Sequence, residues 1–207
     1  MKRVSVVLIG YGKMGYGLGN KDKFSHFGAL QFLKKKFILK SVIDKKFANC
    51  KNFYTSNIDY TLKKHKPELA VISVNTKNHF NVIMKLLKNK FCPKVLFLDK
   101  PSLYDLAEFN KVIKFLKDKK NIKIIVNQTY RFNKNIEKLK NYIKTKKLGK
   151  LKKVSINYTN GLTNNAIHLI DIFYYLFPNN FNLKPLWSHK SLTNNKSKDK
   201  LNYDFCL

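Results

Sequence analysis

The sequence has few cysteines, almost no arginine and no long apolar run. Its cysteines, Cys50, Cys92 and Cys206, are odd in number and far apart, so neither a disulfide framework nor metal-ligand spacing is indicated. No stretch approaches the roughly 18 uninterrupted apolar residues of a membrane-spanning helix. The N-terminus leads directly into a glycine motif instead of a signal-peptide cleavage site. We therefore expect a cytoplasmic protein with reduced thiols, no metal and no membrane segment.

Acidic residues are also scarce, since 12 aspartates and glutamates stand against 42 lysines and arginines and give a net charge of +30. Only Arg3 and Arg131 are arginines, although arginine is the usual bidentate partner of phosphate and guanine. The lysines are spread over the whole chain. This pattern indicates a bias at solvated positions, so we expect weak, salt-sensitive binding to polyanions but no specific nucleic-acid site.

Five short β-branched runs alternate with amphipathic segments through the first part of the chain. The segment after Pro101, for example, places apolar residues three and four positions apart from Leu103 to Leu116, which is typical of a helix. Strands that alternate with helices form a parallel, doubly wound sheet. We therefore predict an α/β fold with a Rossmann domain over residues 1–126, and strands at 4–9, 37–43, 69–74, 94–98 and 122–126.

The first strand runs into the motif GYGKMG. Glycines at this spacing, after a strand and before a helix, allow the backbone to approach a pyrophosphate and the helix to pack closely. A glycine-rich turn without a ligand is the alternative, because the motif alone is weak. In this context it predicts a dinucleotide contact for the whole loop, namely Gly10, Tyr11, Gly12, Lys13, Met14 and Gly15.

Asp44 ends the second predicted strand, where a carboxylate would bind the adenosine ribose. Its distance from the glycine motif is longer than the usual ~20 residues, which we attribute to an extra loop over residues 16–26. Asp44 would repel a 2′-phosphate, so the sequence favours NAD. The adjacent Lys45 and Lys46 leave NADP open.

Four further motifs stand in a fixed order: VISVNTKNHF, LFLDKPS, VNQTYRF and YTNGLTNNAIHLIDIFYYLF. With them the chain resembles the glucose-fructose oxidoreductase, inositol dehydrogenase and rhizopine-catabolism group, Gfo/Idh/MocA. The resemblance implies NAD(P)-linked oxidation of a secondary hydroxyl of a sugar or cyclitol, or the reverse reduction of a ketone. The sequence of the last motif is similar to that of family members that act on sugars of surface polysaccharides.

Lys100 is the candidate for the proton transfer that accompanies hydride transfer. It follows a strand at the carboxyl edge, where ligands bind in such sheets, and partial desolvation beside an oxidised nicotinamide lowers a lysine pKa. The alternative is an ordinary surface lysine. The resemblance implies a second catalytic residue, His168, which could instead be a satisfied core histidine. Asn164 stands where many members have an aspartate, so a two-residue acid–base relay is in doubt. Asp171, one turn later, would orient the imidazole or join a local network.

Other positions are weaker candidates. Asn75, His79 and Asp99 follow strands and are predicted to contact the cofactor, although His79 could simply begin a helix. Tyr130 and Arg131 follow the last Rossmann strand, and we expect Arg131 to bind the substrate or a neighbouring carboxylate. With Asn164 and Asp171 they form the predicted substrate-binding set.

Residues 127–207 are predicted to form a partial α+β substrate and dimerisation domain. We expect a helix ending at Gly149, strands over 151–162, 184–192 and 201–207, and an incomplete sheet, because an average sheet has five or six strands. A fragment, a shortened gene product and half of a split gene all remain open. A homo-oligomer is expected if the full second domain is present. The rival hypotheses are a non-catalytic nucleotide-binding protein or enzyme subunit, and a polyanion-binding protein.

Overall fold

The computed structural model describes residues 2–17, 23–48, 53–147, 149, 153–158, 165–178, 187–190 and 203–206. The chain divides into two compact units, Met1–Asn127 and Gln128–Leu207. Each unit is described by itself.

The first unit contains a six-stranded parallel sheet in the order β3-β2-β1-β4-β5-β6, and this confirms the predicted Rossmann fold. Its strands are β1 (Val4–Ile9), β2 (Phe37–Ile43), β3 (Tyr54–Thr55), β4 (Leu69–Ile72), β5 (Val95–Leu98) and β6 (Lys123–Val126). Its helices are α1 (His26–Phe32), α2 (Ile58–His65), α3 (His79–Lys88) and α4 (Leu106–Lys117). The direction of the strand order reverses between β1 and β4, which is where ligands bind in such sheets.

Two apolar layers cover the faces of this sheet. Val7 and Ile9 of β1 pack with α2, α3 and α4, whereas Val6 and Leu8 pack with α1. All four side chains are at most 2% exposed. A strand that is buried on both faces must be apolar throughout, which is why β1 shows a continuous run instead of alternation.

The carboxyl ends of five strands are level. Ile9 pairs with Ile43 on one side and with Ile72 on the other, and the same register continues to Leu98 and Val126. The residues that directly follow these strands therefore lie in one row along the edge of the sheet. We call them the edge row, which consists of Asp44, Gly10, Ser73, Asp99 and Asn127.

Local signals account for the beginnings of the helices. Asn57 accepts a 3.0 Å hydrogen bond from the Tyr60 N–H and caps α2, a helix that we did not predict from the sequence. Ser25 Oγ accepts from the Gly28 N–H at 3.1 Å, so α1 begins at His26, the last residue of the predicted extra loop. The short edge strand β3 was also missed, because two residues carry no periodicity.

The second unit contains α5 (Lys134–Lys144), α6 (Ile167–Leu176) and an antiparallel pair, β7 (Trp187–Lys190) and β8 (Tyr203–Cys206). Both predicted C-terminal strands are thus present. The helix α5 ends earlier than predicted, since Lys146 already has a left-handed φ of 55°. The strand predicted over 151–162 is wrong for residues 153–158, which have no regular structure. No neighbouring strand among the described residues supplies the hydrogen bonds that define a strand.

Within the described ranges, no helix is both long and apolar enough to cross a membrane. Burial raises the pKa of the Cys92 thiol to about 11, so this cysteine remains protonated at neutral pH. In the same part of the chain, no group of three histidine, cysteine, aspartate or glutamate residues comes close enough to hold a metal.

Candidate functional site

A cleft of about 530 Å³ opens at the carboxyl edge of the first unit, beside the point where the strand order reverses. Gly10, Tyr11 and Gly12 line it from β1, Asp44 from β2, and Asn75 from the loop after β4. Its volume lies within the range of about 300–1,000 Å³ that is usual for small-molecule sites. Five predicted cofactor residues therefore meet in one cleft.

Two glycines of the loop are required by the fold itself. Gly10 has a φ of +103°, and a Cβ there would stand 2.4 Å from the Ser73 carbonyl oxygen. A Cβ on Gly15 would stand 2.3 Å from the Gly10 carbonyl oxygen. Both distances are too short for non-bonded atoms, so any larger residue must displace backbone.

Gly12 is different, because a Cβ built there meets no atom within 4 Å. The fold does not demand glycine at this position. Gly12 instead leaves the cleft wall without a side chain, as close approach of a pyrophosphate to the backbone requires. The glycine loop therefore fits a dinucleotide.

The helix α1 is joined directly to the glycine loop. The His26 N–H donates to the Met14 carbonyl at 2.9 Å, and the Phe27 N–H donates to the Gly15 carbonyl at 2.8 Å. The chain is therefore back at the glycine loop at His26 and Phe27. Lys13 and Met14, two predicted cofactor residues, are exposed and do not line the cleft.

The Asp44 carboxylate joins two backbone segments. Its Oδ2 accepts a 2.8 Å hydrogen bond from the Tyr11 N–H, and its Oδ1 accepts a 3.1 Å bond from the Lys46 N–H. Each oxygen of a carboxylate has two acceptor positions. Asp44 therefore keeps acceptor capacity for a hydroxyl group in the cleft that it lines.

The two lysines after Asp44 have different environments. The Lys46 ammonium donates to the Tyr11 carbonyl at 3.2 Å and lies 3.7 Å from the centre of the Tyr11 ring, whereas Lys45 lines the cleft. The Tyr11 ring also stacks on Tyr16 with centroids 4.1 Å apart. Burial, followed by hydrogen bonds with neighbouring tyrosines, raises the pKa of the Tyr11 hydroxyl far above its usual value.

Asp99 is the centre of a half-buried polar cluster in the edge row. Its Oδ1 lies 2.8 Å from His26 Nε2, and its Oδ2 accepts a 2.6 Å bond from Ser73 Oγ. The Asn127 amide donates to Oδ1 at 3.4 Å. Burial alone would raise the pKa of Asp99, but the bond and charge of His26, with the bonds from Ser73 and Asn127, outweigh it and lower the pKa. Asp99 therefore binds protein groups and does not line the cleft.

His79 begins α3, as in the alternative interpretation, and its side chain is fully buried. Its Nδ1 lies 2.9 Å from the Ser102 carbonyl oxygen and its Nε2 lies 3.1 Å from the Val74 carbonyl oxygen. The imidazole thus lies between the loop after β4 and the loop after β5. With both nitrogens at backbone carbonyls and no exposed surface, it does not present itself to a cofactor.

Lys100 follows Asp99 at the end of β5, and its side chain is half-buried. Pro101 comes next, through a cis peptide bond, and is buried. Lys100 itself does not line the 530 Å³ cleft. It stands at the same edge of the sheet, one residue beyond the edge row.

In the second unit, the His168 Nδ1 lies 3.2 Å from Gln128 Oε1, and its ring meets the Tyr130 ring edge-on at 5.0 Å. Asp171 forms a bidentate pair with Arg131, at 2.7 Å to Nε and 2.5 Å to Nη2. The hydrogen bond that Arg131 donates to Asp171 is the main reason that the pKa of Arg131 is raised.

This pairing decides between two expectations. Arg131 contacts a neighbouring carboxylate, which was one of its two predicted partners. Asp171 binds Arg131 and Gln128 contacts the imidazole of His168, so the described contacts of Asp171 fit the second of its two predicted roles, membership of a local network. Asn164 lies outside the described residues.

Comparison with known families agrees with this geometry. Residues 4–128 match the family model described as "Oxidoreductase family, NAD-binding Rossmann fold", GFO_IDH_MocA. The match covers more than half of the chain and includes the glycine loop and the whole edge row. The chain belongs to the Gfo/Idh/MocA family.

Solved structures of other proteins share the fold at low sequence identity. Gal80p from Kluyveromyces lactis, a transcriptional regulator, is 15% identical with a TM-score of 0.71 over 84% of this chain and 50% of its own. WlbA dehydrogenase from Bordetella pertussis, in complex with NADH and UDP-GlcNAcA, is 13% identical, with a TM-score of 0.71 over 96% of this chain and 64% of its own. WlbA from Chromobacterium violaceum, with the same two ligands, is 14% identical, with a TM-score of 0.70 over 95% of this chain and 61% of its own.

This chain thus spans between half and two thirds of the length of these three structures. No curated protein matches the sequence significantly. For this member of the Gfo/Idh/MocA family, the comparisons therefore support the NAD-binding fold, and the reaction is a separate question.

Some residues of the site were not predicted from the sequence. His26 and Ser73 contact Asp99, and Gln128 contacts His168, but none was singled out. A signal existed for Ser73, because it is the one polar residue within the strand predicted over 69–74. His26 had only its position at the start of a helix as a signal, since its partner lies 73 residues away in the chain.

Proposed function

We propose that this chain is an NAD-dependent oxidoreductase that transfers a hydride between nicotinamide and a secondary hydroxyl or ketone of a sugar or cyclitol. The observation that carries the proposal is the meeting of Gly12 and Asp44 in one cleft at the carboxyl edge, with Lys100 at the same edge. The bare wall at Gly12 suits a pyrophosphate, and the Asp44 carboxylate suits a ribose hydroxyl.

NAD is the cofactor that this cleft favours. A 2′-phosphate next to Asp44 would bring like charges together, which costs binding free energy. Lys46 would offset this repulsion only after leaving Tyr11, whose carbonyl and ring both contact its ammonium. Lys45 and Lys85 are the lysines that line the cleft, and Lys85 is paired with Asp59 at 3.1 Å. We therefore propose a preference for NAD with measurable NADP binding.

The chain's own residues would handle the proton and the substrate. A bound nicotinamide supplies or accepts the hydride. Lys100 would remove the hydroxyl proton during oxidation or return it during reduction. We assign His168 to the substrate hydroxyl, as the family resemblance implies, and Gln128 Oε1, 3.2 Å from its Nδ1, would hold the ring in place. Tyr130 would support His168 through their ring contact.

The substrate class is proposed as a sugar, and a nucleotide sugar is the first compound to test. The support is the family membership together with the printed ligands of the two WlbA structures, NADH and UDP-GlcNAcA. The direction of reaction follows from whether the oxidised or the reduced form of the cofactor is consumed. A cytoplasmic location and self-association of the chain are further proposals that rest on the sequence alone.

A second candidate function is a nucleotide-binding protein without turnover. Asn164 favours it, because an amide cannot take part in the acid–base exchange of the carboxylate that many members have at this position. Gal80p, a regulator, has the same fold. Both candidates bind NADH, and only the first consumes it.

The test combines binding and turnover. NADH and NADPH are titrated by fluorescence at low and high salt, and a panel of polyols, keto-sugars and UDP-sugars is then screened for a change in NADH. The proposal expects NADH binding with little salt dependence, weaker NADPH binding, and turnover of at least one sugar. Binding without turnover of any sugar supports the second candidate. Binding of neither cofactor would contradict both, and loss of NADH binding at high salt would indicate a polyanion site.

A further inference from the structure

The short segment that carries Lys100 is held at both ends by histidines. At its beginning, the Asp99 carboxylate lies 2.8 Å from His26 Nε2. At its end, the Ser102 carbonyl oxygen lies 2.9 Å from His79 Nδ1. Lys100 stands between these two contacts, and neither histidine lines the cofactor cleft.

The two histidines come from opposite faces of the sheet. His26 is the first residue of α1, which packs in one apolar layer, and His79 is the first residue of α3, which packs in the other. Each layer anchors its own histidine. The segment around Lys100 is therefore contacted from both faces, and the Nε2 of His79 also lies 3.1 Å from the Val74 carbonyl oxygen.

The contact at Asp99 is electrostatic as well as geometric. The side chains of His26 and Asp99 are only 13% and 15% exposed. An ionised carboxylate only accepts hydrogen bonds, so the nitrogen of His26 that faces Asp99 carries a proton. Ser73 Oγ supplies a second donor at 2.6 Å. Loss of the His26 donor would leave a partly buried carboxylate less neutralised and strengthen its negative potential at the next residue, Lys100.

The location of this cluster points to function. The sheet is stabilised mainly by its two apolar layers, and a half-buried polar cluster contributes less to stability than apolar side chains do. This polar cluster is centred on Asp99 in the edge row, next to Lys100, instead of in either apolar layer. We infer that His26 and His79 are positioning residues for Lys100, and that they fix the backbone on both sides of it and, through Asp99, set the potential at its amine.

This inference rests on the proposed role of Lys100, but it can be tested without a substrate. The full chain is acetylated with limiting acetic anhydride across a pH series, and peptide mass spectrometry gives the rate at Lys100 relative to Lys94. Lys94 is exposed and directly precedes β5, so it is an internal reference. The variants are His26→Leu, His26→Gln and Asp99→Asn.

We expect the relative acetylation rate at Lys100 to fall in His26→Leu and to rise in Asp99→Asn. His26→Leu increases the negative potential, keeps the amine protonated to higher pH and lowers the relative rate at Lys100 by about three- to tenfold near pH 8. Asp99→Asn removes the charge and raises the relative rate. His26→Gln retains a donor at a similar reach and stays within about twofold of the wild type, because an amide N–H can replace Nε2–H.

His79 is tested in the same way. His79→Leu frees the Ser102 end, so the relative rate at Lys100 moves towards that of an unconstrained lysine. His79→Asn retains a donor near the Nδ1 position and keeps more of the wild-type rate. His65 is the last residue of α2. His65→Leu is the matched control and leaves the relative acetylation rate at Lys100 unchanged.

Unchanged rates in both His26→Leu and Asp99→Asn would overturn the inference, and so would shifts of the same sign in two variants that circular dichroism shows to be folded. Partial unfolding gives shifts of the same sign, because it releases Lys100 in either variant, and circular dichroism identifies that case. If these rates shift as expected while Lys100→Met keeps sugar turnover, the positioning role stands and the proposed catalytic role of Lys100 fails.

Discussion

The backbone N–H of Tyr11 donates a 2.8 Å hydrogen bond to the Asp44 carboxylate, and this bond joins the glycine loop to the end of β2. Asp44 therefore shapes the cleft in addition to lining it. Substitutions of Asp44 remove a loop contact and a negative charge at once, and an experiment on cofactor preference must separate the two effects.

We predict that NADH binds more tightly than NADPH and that Asp44→Ala narrows or reverses this preference. Asp44→Asn removes the charge but keeps an acceptor oxygen for Tyr11, so it should shift the preference with less loss of stability. Fluorescence titration of both cofactors measures the effect. Asp105→Ala is the matched control, because Asp105 caps α4 and lies outside the cleft. Equal affinities in the wild type would refute the role of Asp44.

Substitutions at two glycines of the loop should affect cofactor binding and folding stability separately. Gly12→Val has open space for its side chain, so we expect a folded protein of nearly normal stability that binds neither cofactor. Gly10→Ala should instead lower the free energy of unfolding, because its φ is positive and its Cβ meets the Ser73 backbone. Thermal melting and NADH titration on both variants decide this. A Gly12→Val protein that binds NADH normally would show that the pyrophosphate does not approach this wall.

Much of the first unit was predictable because one simple rule governs it. Parallel strands that are level at their carboxyl ends bring the following residues into a row, so Gly10, Asp44 and Asp99 could be named from strand ends alone. The contacts of that row were not predictable. His26 and Asp99 meet through the register of distant elements, which local periodicity does not record.

The second unit was less predictable because its signals are shorter. Two strands and two helices were recognised, but the segment over 153–158 has a strand-like composition and no partner strand among the described residues. Arg131 was ambiguous between a substrate and a carboxylate, since either satisfies a guanidinium equally well. Only the position of Asp171 on α6 distinguishes them.

Lys100→Met should leave the dissociation constant of NADH within a few-fold and lower turnover by about 10²- to 10⁴-fold, as expected for loss of a proton-transfer group. His168→Ala should cost on the order of 10²-fold. Steady-state rates with a substrate from the sugar panel measure both effects. Lys94→Met is the control, as an exposed lysine before the same strand, and should keep full activity. Retained turnover in Lys100→Met would exclude the proposed mechanism.

The pair of Arg131 and Asp171 predicts unequal losses of stability when one or the other partner is removed. The Asp171 side chain is 13% exposed and that of Arg131 is 43% exposed. Arg131→Ala leaves a half-buried carboxylate unpaired, whereas Asp171→Ala leaves a guanidinium that can turn towards water. We expect Arg131→Ala to be more destabilising by on the order of 1 kcal/mol. Fluorescence of the single tryptophan, Trp187, reports unfolding of this unit. Equal losses in both variants would contradict the prediction.

Asp99 predicts a specific loss of stability in acid. Its pKa is lower in the folded chain than in the unfolded chain, so its contribution to stability is complete above about pH 4 and disappears as the pH falls through the folded pKa. Asp99→Asn lacks this contribution and should lose less stability on acidification than the wild type. Denaturant unfolding at about pH 7 and below about pH 4 measures the difference. Parallel curves for the two proteins would show that Asp99 is not charged in the folded state.

The hydrogen bonds from His26 and Phe27 to the carbonyls of Met14 and Gly15 attach the start of α1 directly to the glycine loop. The chain leaves the glycine loop and rejoins it at the same place, so α1 keeps its position whatever length intervenes. Length variation among relatives should therefore concentrate between residues 17 and 23. The same interval is a natural point at which to insert a reporter or an affinity sequence without disturbing the cleft.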